Sequence, residues 1–529
     1  MLKNLYALGQ VEFASFPVPF ARPLVSGRIR SRSENRLVSK ISTVCADKLL
    51  RSHQRFRILK LTMSQPDHIK AEEQVVPNLE RELENEELAG PPAEPIAVID
   101  RLPSLDVLRG FALLGILLAN ILDFAAPGGK LHDIPLEVVA QSGPHHALDV
   151  AVMTGQWFFV EGKMRALFGL LFGAGTVLLL DRLARRSGAE VAADIFHRRN
   201  MWLLLFGLIH GTLIWMGDIL LFYSSLALLA LYPLRHVQGK RLVWIGLAIS
   251  LAGGTLGIAN AMNLQIALPS AALQEGAAAA RAQHQQPTEA QDKAVAAAAN
   301  QRSEELKEYT QKVAIVRGGY LASEPDNARD HTAFVTLIVS SGWVLEVLGI
   351  MIAGMGFYRI GFLSASLPSR VYFGTALAGY TVAISIVLIG LEHSRQFGFS
   401  DAVTTLWMFL PYGFQQIAGA LANASVLLLL VRHGKLLPLQ RGLAAVGRTA
   451  LSNYIFTSLA CQFLFKWGPW KLYGSLEYYQ QIYVVIGVWV GNIILSLFWL
   501  RYFKFGPLEW LWRSLTYWHP QPMVIKRLA

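Results

Sequence analysis

RLPSLDVLRGFALLGILLANI, residues 101–121, carries the feature on which the fold turns. From Leu105 onward only Asp106, Arg109 and Asn120 bring strongly polar groups into an apolar run. A run of about 20 such residues is long enough to cross a bilayer as a helix. The same pattern recurs along the chain. Apolar runs at Leu105–Phe124, Met164–Leu183, Met201–Trp215, Ile219–Leu234, Leu242–Ala261, Ala333–Phe357, Val371–Leu391, Leu406–Val431, Ala450–Phe465 and Ile482–Leu500 predict ten spans. The expected fold class is all-α: a polytopic helical membrane protein with about ten transmembrane helices. An eleventh stretch, Ala147–Val160, is read as interfacial or re-entrant. Composition agrees, with 53% hydrophobic and 16% charged residues, where soluble chains carry roughly 25% charged. Mean hydropathy is +0.37.

Positive charge sets the expected orientation, because short cytoplasmic loops are rich in Lys and Arg. Arg101 and Arg109 stand where the first span begins, and Arg182, Arg185, Arg186, Arg198 and Arg199 make the densest cluster. If Ala147–Val160 does not cross, that cluster falls inside, and so do Arg235, Lys240, Arg241, Arg359, Arg370, Arg432, Lys435, Arg441, Arg448, Arg501, Lys504 and Arg513. Lys130, Arg395, Lys466 and Lys471 remain outside. Both termini are then cytoplasmic.

The net charge of +11 does not point to nucleic acid. Residues 1–62 hold 12 Lys+Arg and 3 Asp+Glu, a net of +9, leaving about +2 for the other 467. This basic, Ser-rich segment reads as a presequence or as an extension that is not translated. The abrupt change at Met63 favours the second. Residues 63–100 are Glu- and Pro-rich, expected to be a disordered cytoplasmic tail. The membrane domain follows at 101–515, with a further tail at 516–529. Its long external loop, 262–332, is rich in Ala, Gln and Glu, which favour helix, so exposed helices projecting from the membrane are expected there. Cys45 and Cys461 are too few for a disulfide framework.

Ionisable groups inside a membrane are costly and mark function. Arg109 is three residues from Asp106 and eleven from Asn120, so all three share a face of the first helix. Arg199 and His210 repeat the spacing of eleven, and Asp218 follows in a tight turn. A buried His beside a carboxylate is a candidate general base; it can equally be a hydrogen bond between helices. His145, His146 and Asp149 form a third group. Three ligands at that spacing are weak evidence for a metal, and none is expected. Glu346 must pair, protonate or meet water. Gln415, Gln416, Arg448, Asn453 and Tyr454 are amide-rich polar positions in later spans, suited to substrate or to helix contacts. No phosphate-binding glycine loop, nucleophile elbow or H-E-x-x-H zinc motif occurs.

Four stretches together resemble the DUF418 (YeiB-like) family of bacterial inner-membrane proteins. They are RLPSLDVLRGFALLGILLAN (101–120), HGTLIWMGDILLFY (210–223), VGRTALSNYIFTS (446–458) and FGPLEWLWRSLTYW (505–518). The family looks related to transmembrane acyltransferases such as the acyltransferase-3 proteins. In that pattern an Arg is followed eleven residues later by a His; here Arg109 is followed by Asn120. The resemblance therefore implies acyl transfer in which His210, His145 or His146 acts as base, oriented by Asp218 or Asp149. It implies acyl-CoA as donor, its phosphates near Arg109, Arg198 and Arg199, and an envelope glycan or lipid as acceptor across the bacterial inner membrane. The competing class is a proton-coupled transporter using Glu346, Asp218 and His210. A third is a membrane scaffold whose long loop binds an envelope partner.

Overall fold

A computed structural model of the chain describes residues 102–127, 134–139 and 143–525. The expectations for 1–100, and for Arg101, Lys130 and the last four residues, fall outside that range. The described residues are helical almost throughout, and the one strand-like contact among them is an isolated bridge between Phe503 and Val524.

The bundle begins with α1 (Pro103–Ala125), α2 (His146–Phe159), α3 (Lys163–Ser187) and α4 (Ala189–Leu213). A short α5 (Leu220–Leu226) and α6 (Gly239–Ala261) follow. The long loop folds as α7 (Leu264–Ala282), α8 (Glu289–Val316) and α9 (Tyr320–Ser340), the last leading into α10 (Val344–Arg359). The longer helices that remain are α11 (Ser369–Gln396), α12 (Tyr412–Arg432), α13 (Leu437–Arg448), α14 (Ala450–Gln462), α15 (Tyr478–Trp499) and α16 (Pro507–Tyr517).

Close packing comes from small residues. A methyl group on Gly246 of α6 would strike the backbone of Gly349 and Ala353 on α10, and one on Gly349 would strike Ser250. Likewise Gly110 of α1 lies against the Leu443 carbonyl of α13, and Gly447 against that of Asp106. In lipid, where apolar side chains gain little by leaving their surroundings, such backbone approach is a main source of helix association. The outward faces are apolar. Phe373, Leu377, Leu388 and Ile389 on α11, and Ile486, Val490, Ile494 and Phe498 on α15, are all exposed. Apolar faces this extensive need a bilayer to cover them.

Among the described residues six helical stretches are long and apolar enough to cross a membrane, and seven if the bent α9–α10 pair is one span. The count of ten expected from the sequence is not reached on that measure, because several apolar runs do not make long helices. Ile219–Leu234 divides into α5, a π-turn (Ala227–Leu231) and a 3-10 turn (Pro233–His236). Ala450–Phe465 yields 13 residues of α14 and a π-turn, Phe463–Trp467. Ala333–Phe357 bends by 73° between α9 and α10. The stretch expected to be interfacial or re-entrant forms α2, which ends at Phe159 and is separated from α3 by a break at Gly162; His146–Ser187 together make an apolar stretch of 42 residues.

The loop helices are present as expected, with Thr288 and Gln291 closing a capping box on α8. They do not project freely. Polar side chains tie them down: Glu275 bonds to His393 and Trp407, Gln301 to Asp401, and Arg317 to the Tyr473 carbonyl and Ser475.

Candidate functional site

At one end of the bundle arginines dominate; at the other the loop helices close over α1, α4 and α14. The candidate site lies between, nearer the second end. α4 must approach α5 closely for it to form: a methyl on Gly207 would meet the Leu221 nitrogen and the Asp218 carboxylate. α4 ends at Leu213, with the Ile214 and Trp215 N–H groups both donating to the His210 carbonyl. The tight turn that follows brings Asp218 back against the last turn of α4.

The result is a line of three side chains. His210 Nδ1 lies 2.8 Å from Asp218 Oδ1, and His210 Nε2 lies 2.9 Å from Ser458 Oγ on α14. The three are 1%, 0% and 2% exposed. Asp218 is held in turn: Oδ2 accepts from the Leu221 N–H at 2.7 Å, and Oδ1 from the Tyr454 hydroxyl at 3.4 Å. A carboxylate only accepts, so with Asp218 ionised and the imidazole neutral Nδ1 carries the proton and Nε2 is left as acceptor, facing the Ser458 hydroxyl. This is the geometry of nucleophile, base and orienting acid. Ser458 also lies 3.3 Å from the Tyr454 carbonyl, a resting partner for its proton.

Around the triad stand Trp215, stacked on Phe124, and Gln462, one helical turn beyond Ser458. The Trp215 Nε1 and Gln462 Oε1 atoms are buried without a hydrogen-bond partner. Both residues line a cleft together with Lys312, Glu324, Asn327, Asp330, Lys466 and Trp467. Burial lowers Lys466 to about 8.

Sequence reasoning singled out His210 and Asp218, and the structure brings them together. It passed over Ser458. A signal was available: Tyr454, Ser458 and Gln462 are four apart and line one face of α14. The other nominated residues do not join the triad. His145 bonds to Glu477 at 2.9 Å, and Asp149 accepts from the Tyr479 N–H at 2.8 Å, so this group caps the start of α15. His146 lies beside them at the start of α2. Asn453 bonds to Thr449 and Ser496, joining α14 to α15. Asn120 is half-buried on α1.

Glu346, Gln415 and Gln416 belong to a second buried group, formed where helices break. Gly162 adopts φ +70° between α2 and α3, a conformation suited to glycine. There Lys163 is fully buried, donating to the Trp157 carbonyl at 2.7 Å, the Glu161 carbonyl at 3.2 Å and Gln415. Arg165 lies 3.5 Å from Glu346, which also accepts from Trp343. The Tyr412 hydroxyl donates to Glu161 at 2.7 Å, and Gln416 donates to the Gly162 carbonyl. Lys163, Arg165 and Glu161 were not foreseen, although "VEGKMR" sets three charges inside apolar sequence.

At the arginine-rich end, Asp106 pairs with Arg109 at 3.1 Å as expected. Arg198 pairs with Asp194, and Arg199 stacks on Trp512 with its guanidinium 3.6 Å from the ring centre. Among the described residues no group of three or more His, Cys, Asp or Glu is arranged to hold a metal.

The family model described as "Protein of unknown function (DUF418)" matches residues 357–519. Uncharacterized protein YeiB of Escherichia coli (strain K12) is 28% identical over 426 residues, which is 79% of this chain and 97% of YeiB. Uncharacterized protein YxaH of Bacillus subtilis (strain 168) is 28% identical over 451 residues, 82% of this chain and 98% of YxaH. An uncharacterized 39.9 kDa protein of Bacillus acidopullulyticus is 27% identical, with 82% of this chain and 99% of that protein covered.

Proposed function

We propose, from the premise that this chain is a DUF418-type, YeiB-like membrane protein, that it transfers acyl groups from acyl-CoA to an acceptor on the far side of a bacterial inner membrane. The observation that supports this reading is the buried line Ser458–His210–Asp218, with hydrogen bonds of 2.9 and 2.8 Å. In this reading the arginine-rich end faces the cytoplasm, and the cleft lined by Trp215 faces away. Helix rise separates Arg199 from His210 by about 16 Å, a length comparable to the extended arm of coenzyme A.

In the first half-reaction the Ser458 hydroxyl gives its proton to His210 Nε2, and its oxygen attacks the thioester carbonyl. The C–S bond breaks and the thiolate takes the proton from His210. The product is an acyl-serine ester and free coenzyme A. Asp218 holds the imidazole in one tautomer and stabilises it when cationic. The unpartnered Trp215 N–H is the donor for the developing oxyanion. In the second half-reaction an acceptor hydroxyl or amine in the cleft gives its proton to His210 and attacks the ester. Ser458 leaves with that proton.

The test is radiolabelled acetyl-CoA added to purified protein in lipid vesicles. Label retained on wild-type protein and lost in Ser458→Ala, with an envelope extract releasing it, is the expected result. Label transfer unchanged in both Ser458→Ala and His210→Ala would sink the reading.

A second reading, proton-coupled transport, draws on the buried Glu161, whose Oε2 lacks a hydrogen-bond partner. Uptake or efflux in vesicles that requires a proton gradient, with no label transfer, is the result that would favour it.

A further inference from the structure

The arginine-rich end carries more positive charge than it neutralises. Four guanidiniums converge there from four elements: Arg109 on α1, Arg199 on α4, Arg448 at the end of α13 and Arg513 on α16. Arg109 reaches the Gly447 carbonyl, next to Arg448, at 3.5 Å. Arg199 and Arg513 repel each other, and both feel Arg109. Two carboxylates stand nearby. Asp106 is taken by Arg109. Glu509 is spent on the start of α14, accepting from the Leu451 N–H at 2.6 Å, the Ser452 N–H at 3.1 Å and the Ser452 hydroxyl at 2.5 Å.

Among the described residues, Arg199, Arg448 and Arg513 therefore have no carboxylate within ion-pair distance. Arg199 and Arg513 lie instead against aromatic faces, on Trp512 and Phe505. The Arg448 Nε atom is buried without a hydrogen-bond partner. Burial disfavours the charge on all three. Stacking fixes a guanidinium plane while leaving its outer N–H groups unspent. Such planes recognise phosphate oxygens in pairs. The family resemblance implies phosphates near Arg109, Arg198 and Arg199; in the structure Arg198 pairs with Asp194, while Arg448 and Arg513 join the other two at this end.

We propose that Arg109, Arg199, Arg448 and Arg513 form one phosphate-recognition site at the arginine-rich end of the bundle. The phosphate has two sources with the same chemistry, a soluble coenzyme A or an anionic lipid headgroup. Only the choice of coenzyme A rests on the acyl-transfer reading; the phosphate chemistry does not.

The experiment is calorimetric titration of the full chain in nanodiscs of phosphatidylcholine with desulfo-coenzyme A, and separately with pyrophosphate. Saturable binding is expected, weakened roughly ten-fold or more by Arg199→Ala and by Arg513→Ala. Arg441→Ala, on the exposed side of α13, leaves it unchanged. Arg513→Gln, which keeps the packing volume, should weaken binding without changing the melting temperature, which separates lost recognition from lost fold. Repeating the titration in phosphatidylglycerol nanodiscs separates the sources. Displacement of the probe by that lipid, through the same arginines, assigns the site to a headgroup. Probe and anionic lipid interacting equally with wild type, Arg199→Ala and Arg513→Gln would overturn the proposal. Ser458→Ala must bind like wild type, so failed acyl transfer with intact binding counts against the catalytic reading alone.

Discussion

Ser458 is an ordinary residue by sequence, one of several polar positions along a helix that also carries Ser452, Asn453, Tyr454, Thr457 and Gln462. Its meaning comes from His210, 248 positions away in the chain. Two of the three members of the candidate site were thus legible. An imidazole eight residues from a carboxylate, with a tight turn between them, can meet by local folding. The third member depends on how α14 docks, and no local pattern encodes that. Chemistry at this scale makes two predictions. Ser458→Ala should lower acyl transfer by about 10³-fold or more, because nucleophile and base act as one unit. Asp218→Asn should keep the fold yet cost on the order of 10³–10⁴-fold, because an amide can hold the imidazole in the wrong tautomer. Steady-state rates with labelled acetyl-CoA check both. Asp218→Asn with wild-type kcat would reduce the pair to a structural hydrogen bond.

At the scale of elements, the breaks matter more than the helices. Helices were legible wherever apolar runs were long, as in α1, α6, α11 and α15. Less legible were the places where a run is interrupted by side chains from elsewhere. Lys163 shows why. Its three ammonium protons meet three acceptors, two of them carbonyls freed by the break after α2. The cation acts as a staple that makes the break affordable, and nothing near it in sequence reveals the partner Gln415. Lys163→Met should destabilise the protein by at least about 3 kcal/mol, since several buried acceptors lose their donor at once. Thermal unfolding in detergent measures this, and an unchanged midpoint would remove the staple role. A second element-scale device is Glu509, which caps α14 from α16. Glu509→Ala should cost about 1–3 kcal/mol by orphaning two N–H groups. Burial raises the Glu509 carboxyl above its ordinary value, against hydrogen bonds that favour the anion. A folded-state pKa above the unfolded one means that protonation favours folding. Its contribution is full below the unfolded value of about 4.3 and declines as pH rises through the raised one. Wild type should therefore gain stability relative to Glu509→Gln as pH falls, and melting curves of the two at several pH values show whether it does.

For the whole molecule, the question is which end meets which compartment. The proposed reaction needs two separated entrances: coenzyme A at the arginines of α1, α4, α13 and α16, and the acceptor at the cleft under α8 and α9. That reaction puts the arginines in the cytoplasm, the side that charge bias favours. The loop helices contribute little to that vote, because long loops translocate regardless of their charge. Two exposed residues mark the two ends, His284 between α7 and α8 and Arg441 on α13. In a background of Cys45→Ser and Cys461→Ala, His284→Cys should react with a membrane-impermeant maleimide in intact cells. Arg441→Cys should react only after the membrane is opened. The reverse pattern would put the phosphate site outside, where no acyl-CoA is supplied. The triad could not then serve a cytoplasmic donor, and the arginines would have to be explained by anionic headgroups of the outer leaflet. Labelling of both positions from one side would deny that the chain presents its two ends to two compartments, and transfer across the bilayer would fail with it.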